Sequence, residues 1–116
     1  MNTTFTSAAL IRVGLACVFL ANSITAFVAP AEFQELISNS FVGGLLPISA
    51  ATFVLLIGIN DLTVSILLFS GWKTSRVATY ACAWLVGVIV VIGAISLDAL
   101  EHLGFLAMAS SLALKK

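Results

Sequence analysis

The segment 55–71, LLIGINDLTVSILLFSG, places Asn60 and Asp61 inside an otherwise almost wholly apolar run, with no basic residue beside them. A carboxyl group in such a setting can bind a ligand, carry a proton or tie helices together. Held ionised at the centre of a bilayer it costs about 2.5–3.5 kcal/mol on insertion scales. It must therefore stay protonated and donate a hydrogen bond, or turn inward and find partners. Gly58 and Ser65 stand three before and four after Asp61, so on a helix the three make one small, polar stripe of the kind that faces other helices rather than lipid. Asn22 and Ser23, in LANSITAF, fall at a similar height on an earlier apolar run, and Asn22 is a candidate amide partner for Asp61. Arg12 lies eleven residues before Ser23, close to three helical turns, and shares its face.

A second polar site is SLDALEHLG. Asp98 and His102 are four apart and meet on one helical face. Such a pair can shuttle protons or begin a metal site, but with His102 the only histidine the set is thin, and we expect an interfacial cap of the last helix and no metal motif. Cys17 and Cys82 form no CxxC and sit inside apolar runs, which predicts packing residues, with a thiol redox pair as the alternative. Tyr80, Trp84, Gly87, Val91 and Ala94 form a stripe that reads as a helix-packing face with a notch at Gly87, or as a wall for a flat ring.

These residues must be positioned by elements that live in lipid. The chain is 61% hydrophobic and 9% charged over 116 residues, where a soluble domain carries about 25% charged residues. Four apolar runs follow, at about 8–29, 45–70, 77–97 and 100–114. The first three reach the roughly 20 residues that a spanning helix needs. The fourth spans only if residues 97–99 join it or if Glu101 and His102 enter the outer leaflet. Between the first two runs, AEFQELISNSFVGG repeats Phe33, Leu36, Ile37 and Phe41 at helical spacing opposite Glu32, Gln34, Glu35 and Asn39. This predicts a short amphipathic helix, about 31–42, lying on the membrane surface. APA at 29–31 imitates a signal-peptide cleavage site, but no Lys or Arg precedes Arg12, which argues against cleavage.

Arg12, Lys73, Arg76, Lys115 and Lys116 all fall on one side of a four-span arrangement, and Glu32, Glu35, Asp98 and Glu101 on the other. The positive-inside rule then puts both termini in the cytoplasm. Trp72 beside Lys73 suits an interfacial anchor. From that boundary Asp61 lies about 15 Å deep, near the bilayer centre. Net charge is zero and no basic run occurs, so nucleic acid is excluded as a partner class. The expected fold is all-α: one domain, a four-helix transmembrane bundle with both termini inside and a surface helix between spans one and two.

The sequence resembles the DoxX-like family of small four-span membrane proteins. The resemblance runs through IRVGLACVFLANSITAF, PAEFQELI, IGINDLTVSILLFSGWKTSRVAT and the short last run LGFLAMASSLAL. Asp61 stands where the family usually has Glu. The family's usual lysine near the end of span one is absent, with SITAF in its place, which leaves Asp61 without that cation. The resemblance implies a membrane protein of the bacterial inner membrane. Some relatives serve as membrane subunits of quinone-linked oxidoreductases or as partners of oxidative-stress enzymes, and distant ones assist assembly of other membrane proteins. The leading expectation is an accessory or assembly subunit with a protein partner, or a homo-oligomer, and no free-standing catalytic centre. The alternative is a redox subunit or binder of an apolar ligand or proton, with a quinone or lipid as the bound molecule. The candidate ligand or proton residues are Asp61, Asn60, Asn22, Ser23, Ser65 and His102.

Overall fold

The computed structural model describes residues 6–39, 44–45, 47–92 and 97–114, apart from the side chains of residues 92 and 97–99. All regular structure among them is helical: α1 (Ser7–Val28), α2 (Ala31–Ser38), α3 (Ala50–Ser70), α4 (Thr74–Ile92) and α5 (Leu97–Leu114). Three helices, α1, α3 and α4, are long and apolar enough to cross a membrane. At about 1.5 Å per residue, the 21 residues of α3 match the roughly 30 Å of a hydrocarbon core.

Hydrogen bonding at the ends sets the bounds. The Thr6 hydroxyl accepts from the Ala9 amide at 3.0 Å and opens α1. Pro30 then lacks the N–H that would continue the ladder. The run expected from residue 45 becomes helical only at Ala50, where the Ser49 hydroxyl accepts from the Thr52 amide at 3.1 Å. An N-cap satisfies a first-turn donor that leucines cannot, so Leu45 and Pro47 stay outside. Gly71 closes α3 in the left-handed region, φ 77°, with its N–H on the carbonyls of Leu67 and Leu68. Helix α4 starts at Thr74, earlier than the apolar run at Val77, because Thr74, Ser75 and Arg76 join the ladder although they are polar. It is described to Ile92; the expected run over 93–96 lies outside the described residues. Residues 97–99 do join the last helix, making α5 18 residues long, with Leu100–Leu114 as its apolar part.

The four long helices pack as a cycle: α1 on α3, α3 on α4, α4 on α5 and α5 on α1. Neighbours run antiparallel. The start of α1 meets the end of α3 where Arg12 reaches Leu68, and the start of α4 meets the end of α5 where Ser75 donates to the Ala113 carbonyl at 2.7 Å. Small residues let the backbones approach. Ala16 on α1, Ala78 and Ala81 on α4 and Ala109 on α5 are all fully buried, around Leu15, Phe19, Leu68 and Leu85. A second cluster joins Ala26, Val54 and Ile37, so α2 spends its apolar face on α1 and α3, with Phe33 packed beside it. The part of the expected surface helix at 40–42 lies outside the described residues.

The exterior is apolar. Ile66 is 57% exposed and Val90 55%, and Leu55, Leu56 and Ile59 lie equally open on α3. Such a surface is matched to acyl chains rather than to water.

Candidate functional site

Asp61 is turned inward, 3% exposed, as are Gly58 and Ser65 on the same stripe of α3. Its amide partner is its neighbour. Asn60 Nδ2 donates to Asp61 Oδ1 at 3.1 Å, and Asn60 Oδ1 in turn accepts from the hydroxyl of Tyr80 on α4. Trp84, one turn beyond Tyr80, is half-buried and packs against the core of the bundle. The cluster is therefore a tie between α3 and α4. The sequence reading looked to Asn22 on α1 instead. Asn22 is half-buried and takes no side-chain hydrogen bond among the described residues.

The α1–α3 seam is held by different atoms. Ser65 Oγ donates to the Ala16 carbonyl at 2.8 Å in a fully buried contact. Ser23 is buried, but its hydroxyl returns to the Leu20 carbonyl of its own helix at 2.8 Å. Gly58 lets α1 approach: a Cβ there would fall 2.8 Å from Phe27 Cε1 and 3.2 Å from Ala26 Cβ. No buried side-chain nitrogen or oxygen among the described residues lacks a hydrogen-bond partner.

At one end of the bundle, Arg12 donates from Nη1 to the carbonyls of Leu68 and, at 3.0 Å, Phe69. These are orphan groups of the last turn of α3, and a cation there also opposes the negative end of the helix dipole. Arg12 is thus a cap for a neighbouring helix as well as a basic residue near a boundary. Lys73, in the turn, adopts φ 44° and holds its ammonium 5.0 Å from the Trp72 ring centroid. Arg76 is exposed on the first turn of α4.

His102 is half-buried on α5, and its ring meets Phe105 edge-on with centroids 5.3 Å apart. The Asp98 side chain lies outside the described residues. Among those described, no cluster of three or more His, Cys, Asp or Glu is placed to hold a metal ion.

Two readings of α4 and α1 are corrected. Gly87 is exposed and a Cβ there would meet nothing within 4 Å, so it is not a packing notch. The packing face of α4 is Val77, Ala78, Ala81 and Leu85, one residue round from the expected stripe. Ala94 lies outside the described residues. Cys82 is half-buried, 3.6 Å from Ser110 Oγ, but Cys17 is exposed on α1 rather than packed, and both thiols are free. The group that sequence reasoning passed over is the phenolic hydroxyl of Tyr80. Its signal was available: an aromatic ring carrying a hydroxyl, on the span that follows Asp61.

No family model matches the chain, and neither the curated proteins nor the solved structures contain a significant match to it.

Proposed function

We propose that this chain is a four-span integral membrane protein of the DoxX-like kind, with both termini in the cytoplasm of a bacterial inner membrane, and that it serves as an accessory or assembly subunit for a partner protein. One observation carries this reading. The interior polar groups, Asp61 included, are bonded to the protein's own helices, so they bind the fold together and leave the outer apolar face to meet other molecules. Small exposed residues and open leucines on α3 suit helix-to-helix contact with a partner. The basic residues Arg12, Lys73 and Arg76 lie at one end of the bundle, which favours the orientation given.

The competing reading, a subunit that passes a quinone or similar apolar ligand, draws on the open groove beside Asn60 and Tyr80. Extraction in mild detergent separates the two. An accessory subunit brings one defined polypeptide with it in a fixed ratio, and Asp61→Asn preserves that ratio. A protein that instead carries a quinone, and loses it in Asp61→Asn, overturns the accessory reading.

A further inference from the structure

The α3–α4 seam is packed less closely than the α1–α3 and α4–α5 seams and leaves an open groove of about 440 Å³. Its walls are Val64, Leu67 and Val77, its deep end is the hydrogen-bonded pair Asn60 and Tyr80, and its mouth is Lys73 and Arg76. Asn60 and Leu67 are seven residues apart on α3, so the apolar part runs about 10 Å along the helix axis. A second depression, about 600 Å³, adjoins it on the other side of the same two cations and reaches Arg12. No carboxylate lines either one among the described residues.

The three cations are not equivalent. Arg12 is engaged by the α3 carbonyls. Arg76 makes no side-chain hydrogen bond or ion pair among the described residues, and Lys73 has only the face of Trp72. Two uncompensated cations thus stand at the mouth of a groove whose walls are apolar and whose open side continues into the lipid-facing surface. The molecule complementary to this shape has a negative head at the membrane boundary and a hydrocarbon tail below it.

We propose that this groove is a binding site for an anionic phospholipid, with the headgroup phosphate between Lys73 and Arg76 and one acyl chain laid along Leu67 toward Tyr80. Trp72, 56% exposed, flanks the headgroup at the boundary. A soluble phosphate would satisfy the cations but not the apolar walls. A zwitterionic lipid would fill the walls but bring its own cation to the mouth. The site needs only that α3 and α4 lie in a bilayer. It does not depend on the accessory role or on which side the basic end faces.

The test is lipid retention by the intact protein, read by native mass spectrometry and thermal shift in detergent, with phosphatidylglycerol, phosphatidylcholine and inorganic phosphate added separately. Phosphatidylglycerol is expected to bind and to raise the melting temperature. The double variant Lys73→Gln, Arg76→Gln should weaken its retention roughly 30-fold, about fivefold for each cation near a membrane surface. Thr63→Trp fills the groove from an exposed position without touching either charge. It should lose the lipid while keeping a monodisperse, helical protein. Equal retention of phosphatidylcholine, unchanged retention in the double variant or in Thr63→Trp, or equal protection by inorganic phosphate would each overturn the proposal. None of these readouts involves a partner protein, so the result is separable from the fate of the accessory reading.

Discussion

Tyr80 on α4 donates its phenolic hydrogen to the side-chain carbonyl of Asn60 on α3, and the same amide donates onward to Asp61. One side chain thus links a neighbouring helix to the deep acid. Removing the hydroxyl in Tyr80→Phe is expected to cost about 0.6 kcal/mol, the usual size of a hydrogen bond between helices in a membrane. Asn60→Leu removes both bonds and should cost roughly twice that, on the same scale. A double-mutant cycle of the two, read by unfolding in mixed micelles, should be clearly non-additive. Strict additivity would mean that the contact contributes nothing.

Arg12 closes the end of α3 from a different helix. Arg12→Gln should lower stability by about 1–2 kcal/mol, through the lost charge at the helix end and its two carbonyl contacts. Arg12→Lys keeps the charge but not the fork and should fall between. Denaturation midpoints in detergent measure this, and a glutamine variant as stable as the parent would refute the capping role.

At Gly58 α1 lies too close to α3 to leave free room for a side chain. In Gly58→Ala the nearest obstacle is the tip of the exposed Phe27 ring, which can swing aside. The gain in helix propensity, about 1 kcal/mol, offsets the displacement. Gly58→Leu has no such escape and should cost about 1–3 kcal/mol by overpacking. Cross-linking yield between cysteines placed across the α1–α3 seam should fall for the leucine variant and hold for the alanine one.

Ser65 bonds across the seam to the Ala16 carbonyl. Ser65→Ala is expected to weaken the fold by about 0.6–1.7 kcal/mol, and Ser65→Thr, which keeps the hydroxyl but adds a methyl to a fully buried site, should not restore it. Melting temperatures of the pair decide the point.

Cys17 and Cys82 are free and sit on α1 and α4. The protein isolated without reductant should show two alkylatable thiols after denaturation. Cys17→Ser combined with Cys82→Ser should leave stability and partner retention unchanged. Loss of either in the double variant would revive the thiol-redox reading.

That the described residues are all helical, with three helices apolar and long enough to cross a membrane, was legible in the chain, because in lipid every backbone polar group must be satisfied within its own segment. Runs of apolar residues then have one outcome. Their ends were less legible. Ser49 caps the start of α3 by hydrogen bonding, α4 begins where the amides of Arg76 and Val77 reach the Lys73 carbonyl, and hydropathy registers neither. The amphipathic pattern of 31–38 was readable, but whether Ile37 faced lipid or the bundle was not: that depended on the gap beside Ala26 and Val54.

By itself the sequence determined that Asp61, with Gly58 and Ser65, would face inward, since an acid on the lipid side is too costly and small residues mark a seam. Only the tertiary structure decided which helix stood opposite. Successive residues on a helix point about 100° apart, so the choice of Tyr80 over Asn22 as the cross-helix partner of the Asn60–Asp61 pair follows from how α3 is rotated between α1 and α4. That rotation is set by Ala16, Ala81 and Gly58 packing across the seams, and no single segment encodes it.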